Sequence, residues 1–150
     1  KEFNVHSRFI ELAAEINAAM PSYVVSKTID VLNMEKKSLS ESKLLILGLS
    51  YKKNVSDLRE SPNLEIMKKL IDMGSTVDYA DPFWGEIPKL RKYNFKMKSK
   101  KISSDLIKTY DVILMLTDHD DFDYRIIKKN AKKIIDTRGV FKKSNKVFYA

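Results

Sequence analysis

The stretch from Leu44 to Pro82 constrains the fold more than any other part of the chain. Leu44-Leu45-Ile46-Leu47 is a continuous apolar run closed by Gly48, as expected of a strand covered on both faces. A polar loop follows. Ser61-Pro62 then predicts a helix start, because Ser61 can cap the first turn and Pro62 at the first helical position forfeits no hydrogen bond. Leu64, Ile66, Met67, Leu70, Ile71 and Met73 recur at helical spacing, with Gly74 as a C-terminal cap. Thr76 to Ala80 reads as the next strand, ending at Asp81-Pro82. Such a βαβ unit places its strands parallel, and open α/β sheets bind ligands at the carboxyl ends of the strands. The long loop at that end carries Tyr51, Lys52, Asp57, Arg59 and Glu60, so function is expected there.

Upstream, Phe9, Leu12, Ala13, Ile16, Ala19, Met20, Val24, Val25, Ile29 and Leu32 keep helical spacing from about Ser7 to Asn33. Pro21 lies inside this pattern and removes a backbone donor, which predicts a kink or break near Ala18. Met34 to Ser42 reads as a polar linker. Downstream, the pattern predicts a short helix or turn around Ile87 to Lys92 and a short strand over Asn94 to Met97. A helix capped at Ser103 or Ser104 follows, running to Thr109, and then a buried strand, Val112 to Leu116. Tyr124 to Asn130 reads as a helix, and Lys133 to Asp136 and Val147 to Tyr149 as strands. Five or six strands alternating with helices predict an α/β fold, a Rossmann-like doubly wound parallel sheet preceded by a long linking helix. The expected division is a long helix with linker over 1–42 and an α/β domain over 43–150.

Composition narrows the chemistry. The 150 residues suit one domain with a sizeable core, and the chain, which does not open on Met, reads as a fragment or processed product. There is no cysteine, which excludes disulfides, thiolate metal sites and a cysteine nucleophile within this chain. His6 and His119 are too few and too far apart to suggest a zinc site. Thr117-Asp118-His119-Asp120-Asp121-Phe122 could suggest a metal, but a metal needs oxygens converging from separate segments. No metal is expected. Without a stretch of about 18 apolar residues or a signal-peptide pattern, the chain is expected to be cytoplasmic with no membrane partner. The net charge of +8 admits a nucleic-acid reading, yet the lysines look dispersed, apart from groups such as Lys98-Ser99-Lys100-Lys101, and lack aromatic interleaving. No nucleic-acid partner is expected.

The string Gly48-Leu-Ser50-Tyr51-Lys52-Lys-Asn-Val-Ser-Asp57-Leu-Arg59-Glu-Ser61-Pro62, with Asp81-Pro82 after the next strand, closely resembles the C-terminal domain of the UDP-glucose/GDP-mannose dehydrogenase family. Every fixed place of the pattern Gly-x-[Ala/Ser]-[Tyr/Phe]-Lys-x-x-x-x-Asp-x-Arg-x-Ser-Pro is filled. Arg8 to Met20-Pro21 is similar to the family's linking helix, in the form of the branch acting on UDP-N-acetyl-D-mannosamine. The resemblance implies a nucleotide-sugar 6-dehydrogenase that oxidises a C6 hydroxymethyl to a carboxylate with two NAD, through a cysteine thiohemiacetal. It also implies that NAD is bound mainly by an N-terminal domain, that catalytic Cys, Lys and Asn lie outside this chain, and that the 7–33 helix builds a homo-oligomer. UDP-glucose and GDP-mannose members share much of the same loop. A stand-alone nucleotide-anion binder and a dimerising scaffold are the rival readings.

A standard dinucleotide turn needs Gly-x-Gly-x-x-Gly, whereas here Gly48 is followed by Leu49, Ser50 and bulky Tyr51. Side chains must therefore hold any anion. By the resemblance, Tyr51, Lys52 and Arg138 are substrate-binding and Arg59 reaches the cofactor, while no catalytic residue is assigned in this chain. The plainer alternatives are a packed Tyr51, a solvated Lys52, an Arg138 that is surface charge, and an Arg59 paired with Asp57 or Glu60 that only braces the loop.

Overall fold

A computed structural model describes residues 8–150, so His6 and the expected first residue of the leading helix, Ser7, lie outside the described residues. Helix α1 spans Arg8–Met34, and β1 spans Lys43–Leu47. Then come α2, Pro62–Asp72; β2, Thr76–Ala80; α3, Ser104–Lys108; and β3, Val112–Met115. Helix α4, Tyr124–Asn130, β4, Ile134–Asp136, and β5, Val147–Tyr149, complete the order. The five strands form one sheet in the order β2-β1-β3-β4-β5, and every pairing is parallel. The chain leaves β1 toward β2 on one side and returns to β3 on the other. The ends of β1 and β3 therefore mark the switch point at which doubly wound sheets take ligands.

Alternation along β1 shows why the apolar run is continuous. Leu44 and Ile46 pack with Val24, Val31, Leu64, Met67 and Leu70 on the α1/α2 face. Leu45 and Leu47 pack with Ile107, Ile113 and Ile127 on the α3/α4 face. All four are fully buried, each stabilising the fold by about 1.5–3 kcal/mol relative to exposure. Ser61 caps α2 through its side chain, Pro62 opens it, and Ser103 and Asp123 cap α3 and α4.

Two local expectations are corrected, the break at Pro21 and the strand over 94–97, and the helix or turn over 87–92 is narrowed to its second alternative. Helix α1 runs through Pro21 without a break. The acceptor that loses its donor is the carbonyl of Asn17, an exposed residue that water can reach, while the proline ring itself is buried. Residues 87–92 form no helix, and 94–97 form no strand. Glu86 bridges Lys98, Leu90 donates its N–H to the Tyr93 carbonyl, and Tyr79 accepts from the Lys100 N–H, so this segment lies extended beside β2. The lysines are also less dispersed than they look. Residues 87–104 hold Lys89, Arg91, Lys92, Lys96, Lys98, Lys100 and Lys101 and no Asp or Glu, so most of the net charge sits here. From Lys92 to Lys100, exposed residues alternate with half-buried Tyr93, Phe95, Met97 and Ser99.

The first half of α1 is exposed along with its apolar residues: Phe9 80%, Ile10 68%, Leu12 54% and Ile16 54%. Its second half, from Val24 to Leu32, is part of the core.

Gly48 has φ +83°, and a Cβ there would stand 2.4 Å from the Thr117 carbonyl oxygen. Gly48→Ala is therefore expected to cost about 3 kcal/mol or more, read as a lowered urea midpoint with unchanged slope.

Candidate functional site

The loop from Gly48 to Glu60 is tied to each neighbouring strand end. At its base, Asn63, buried in the first turn of α2, donates through Nδ2 to the Gly48 and Ser50 carbonyls and to Thr117 Oγ1 at 2.8–3.2 Å. Ser61 Oγ donates to the Leu49 carbonyl at 2.6 Å, and the Thr117 hydroxyl donates to the Ser50 carbonyl. From the end of β2, Asp81 Oδ2 accepts the Leu49 N–H at 2.7 Å, while Oδ1 accepts from Phe83 and Trp84. From the end of β3, Asp120 exchanges two hydrogen bonds with Asn54 and pairs with Lys53 at 2.6 Å. His119 Nδ1 accepts the Asn54 N–H.

Arg138 makes the tie from the end of β4. Asp136, fully buried, accepts the N–H groups of Arg138, Gly139 and Phe141 and so shapes the turn that aims the arginine. The guanidinium donates from Nε to the Leu116 carbonyl at 2.7 Å and from Nη2 to the Tyr51 carbonyl at 2.9 Å. Nη1 has no partner among the described residues. The fork is thus oriented by neutral acceptors and keeps its full positive charge.

Tyr51 and Arg138 share a hollow of about 320 Å³ with Leu116, Thr137, Asn63, Glu60, Pro62 and Ile66, walled by Asn17, Met20, Pro21 and Val24 of α1. Tyr51 is half exposed over it. Lys52 follows in the chain but does not line the hollow. It is exposed and makes no ion pair or hydrogen bond among the described residues. Arg59 lies apart from these three, in an adjacent hollow of about 340 Å³ with Leu58, Leu64, Leu90, Arg91, Lys92 and Tyr93. Its fork grips Asp57 at 2.9 and 3.0 Å, and Asp57 also takes the Arg59 N–H. Those bonds hold the exposed Asp57 carboxyl down at about 2 and raise the guanidinium. The two hollows meet at Asn17, Pro21, Glu60 and Pro62.

Asn63 and Asn54 carry much of this architecture and were not singled out from the sequence, whereas Asp81 and Thr117 stand in motifs already quoted from it. The signal of Asn63 was a polar residue inside the first turn of a buried helix. Among the described residues, no group of three or more His, Asp and Glu is arranged to hold a metal ion.

Residues 45–143 match the UDP binding domain of the UDP-glucose/GDP-mannose dehydrogenase family. The chain belongs to that family. It is 36% identical over 128 residues to UDP-N-acetyl-D-mannosamine dehydrogenase from Methanococcus maripaludis (strain C7), covering 85% of this chain and 26% of that protein. The enzyme of the same name from Methanocaldococcus jannaschii is 32% identical over 147 residues, covering 93% and 31%. Among solved structures, the UDP-N-acetyl-mannosamine dehydrogenase Cap5O from Staphylococcus aureus aligns with a TM-score of 0.67 at 28% identity, over 99% of this chain and 34% of that one. The UDP-D-ManNAc dehydrogenase from Pyrococcus horikoshii shares the fold with a TM-score of 0.76 at 23% identity, over 97% and 34%. This family chain thus spans about a third or less of the length of the relatives it matches. The full-length relatives are dehydrogenases by name, and no helix of the described residues is long and apolar enough to cross a membrane.

Asp81 gives the site a pH signature. Burial pushes its carboxyl up, but the approach of His119 and the N–H groups of Leu49 and Phe83 together outweigh that, and it lies below the usual carboxylate range. A folded value below the unfolded one, about 3.9, means stabilisation that is complete above that pH and lost as pH falls through the folded value. Asp81→Asn is expected to cost about 1–3 kcal/mol at pH 7 by urea unfolding, and the gap to the parent should narrow as the pH falls below the ordinary carboxylate range.

Proposed function

We propose that this chain is the C-terminal, nucleotide-sugar-binding part of an NAD-dependent UDP-N-acetyl-D-mannosamine 6-dehydrogenase, forming UDP-N-acetyl-D-mannosaminuronate. The observation that carries this reading is the hollow shared by Tyr51 and Arg138 at the carboxyl edge of the sheet, in a chain whose family match is a UDP binding domain. The Tyr51 ring offers a flat apolar surface for a base or sugar face. Arg138 presents its Nη1 edge to a diphosphate oxygen, and Lys52, exposed and next in the chain to Tyr51, adds a second cation once the anion arrives. We assign Tyr51, Lys52 and Arg138 to the substrate on that basis.

The turn after β1 lacks the glycines with which a backbone cradles the pyrophosphate of NAD, since Leu49, Ser50 and Tyr51 follow Gly48. A cofactor would have to be held by another domain of the longer enzyme, and Arg59, at the rim of the neighbouring hollow, is the residue assigned to reach it. Having no cysteine, the chain cannot supply a thiolate nucleophile, and on this reading it binds substrate without turning it over. The division at residue 42, pairing of two copies through the exposed Phe9, Ile10, Leu12 and Ile16, and a cytoplasmic setting belong to the same proposal. UDP-glucose or GDP-mannose remains the second reading for the substrate, because other members named for those sugars share the fold.

Calorimetry with UDP and UDP-sugars tests the assignment. Arg138→Ala and Lys52→Ala are each expected to weaken binding by about tenfold, the equivalent of about 1.4 kcal/mol. Lys142→Ala, at an exposed position outside the hollow, should leave binding unchanged. Parental affinity in both site variants would remove these residues from the site.

A further inference from the structure

His119 has no part in the hollow, yet it joins the nucleotide loop to the loop after β2 from its own place in the loop after β3. Its side chain is completely buried. Nδ1 accepts the N–H of Asn54 at 3.0 Å, so that nitrogen carries the lone pair and the ring proton belongs on Nε2. Nε2 lies 3.4 Å from Asp81 Oδ2, close enough for attraction but too poorly aligned to be a hydrogen bond. Phe83 and Phe122 wall the ring at centroid distances of 5.0 and 5.7 Å, and Tyr124 donates its hydroxyl to the His119 carbonyl.

The residue at the other end of this contact is conformationally unusual. Asn54 has φ +57°, in the left-handed region that Asn tolerates better than most side chains. It comes two positions after Lys52 and three after Tyr51. Its other ties, to Asp120, are exposed, as is the neighbouring Lys53–Asp120 pair, and water competes for them. The bond to the buried imidazole is the sheltered one. On the opposite side, Asp81 holds Leu49 at the start of the same loop. Asp81 and His119 therefore grip the loop on both sides of Tyr51 and Lys52.

We propose that His119 is a positioning residue for the nucleotide-sugar loop. As the Nε2–H tautomer it offers Nδ1 as the acceptor that fixes Asn54 in the left-handed conformation, and so sets where Lys52 and Tyr51 stand. This rests on the assignment of that loop to the substrate, and it adds a residue that never touches the substrate.

Two variants separate the acceptor from the packing. In His119→Asn, the side-chain oxygen can occupy the place of Nδ1, whereas His119→Phe fills the aromatic pocket and removes the acceptor. Hydrogen exchange at the Asn54 amide is read without ligand, and UDP affinity is read by calorimetry. The Phe variant should exchange about tenfold faster at Asn54 and bind UDP about fivefold more weakly, while the Asn variant stays within about twofold of the parent in both. Parental behaviour of the Phe variant, or equal loss in both variants, overturns the proposal. A third measurement needs no variant. Nitrogen chemical shifts of His119 in the parent should report Nε2–H with Nδ1 bare, and the opposite tautomer also overturns it. If the parent itself fails to bind UDP, the substrate assignment falls, while the exchange contrast at Asn54 still decides what His119 does.

Discussion

The structure depends on how closely the ends of β1 and β3 are pressed together. Gly48 meets Thr117 with no space for a side chain, and it does so at a backbone angle suited to glycine. Asn63 seals the junction from below by donating to the carbonyls of Gly48 and Ser50 and to Thr117. In other doubly wound folds this crevice receives the ligand. Here Leu49, Ser50 and Tyr51 follow Gly48 in place of a glycine-rich turn, and the hollow at this edge is bounded by Tyr51, Leu116, Thr137 and Arg138, with Pro21 and Val24 of α1.

The loop that carries Tyr51 has an electrostatic design of its own. A long excursion bearing Lys52, Lys53 and Arg59 would be expected to wander. Each of its cations is instead treated differently. Lys53 is bound to Asp120 and Arg59 to Asp57, whereas Arg138, reaching in from β4, is oriented by carbonyl oxygens and Lys52 has no partner among the described residues. Neutral anchors fix geometry without cancelling charge. On the proposed reading, an anion arriving at the hollow would meet a guanidinium already in place, which would lower the ordering cost of binding.

How much of this was legible from the residues can be traced element by element. The core strand, the capped α2, the parallel order implied by βαβ spacing, and the family match all follow from local patterns that tertiary packing reinforces. Pro21 was misleading because a missing hydrogen bond breaks a helix only where no other partner can replace it, and the Asn17 carbonyl lies on an open surface. The segment 87–98 alternates like a strand but pairs through only an isolated bridge, since its outward residues are lysines and its inward ones pack on the sheet margin. That Tyr51 and Arg138 gather at one carboxyl edge, with Arg59 given a different role, followed from the family resemblance; that Lys52 stands outside their hollow did not, because no spacing along the chain encodes it. Asn63 was silent, and His119 stood out only as a member of the Thr117–Phe122 string, because a buried polar residue declares its partners only in three dimensions.

The lysine-bearing segment beside β2 has a consequence for the fate of the sheet. β2 is the outermost strand on its side, and an outermost strand with free amide groups invites a stranger chain to add on. Here the Tyr79 carbonyl is already taken by Lys100, and beyond it stand like charges repeated about every 6.6–7 Å along an extended backbone. The opposite margin ends in a strand of three residues. Lysines standing outside one margin and a very short strand at the other are both features that discourage edge-to-edge pairing of sheets.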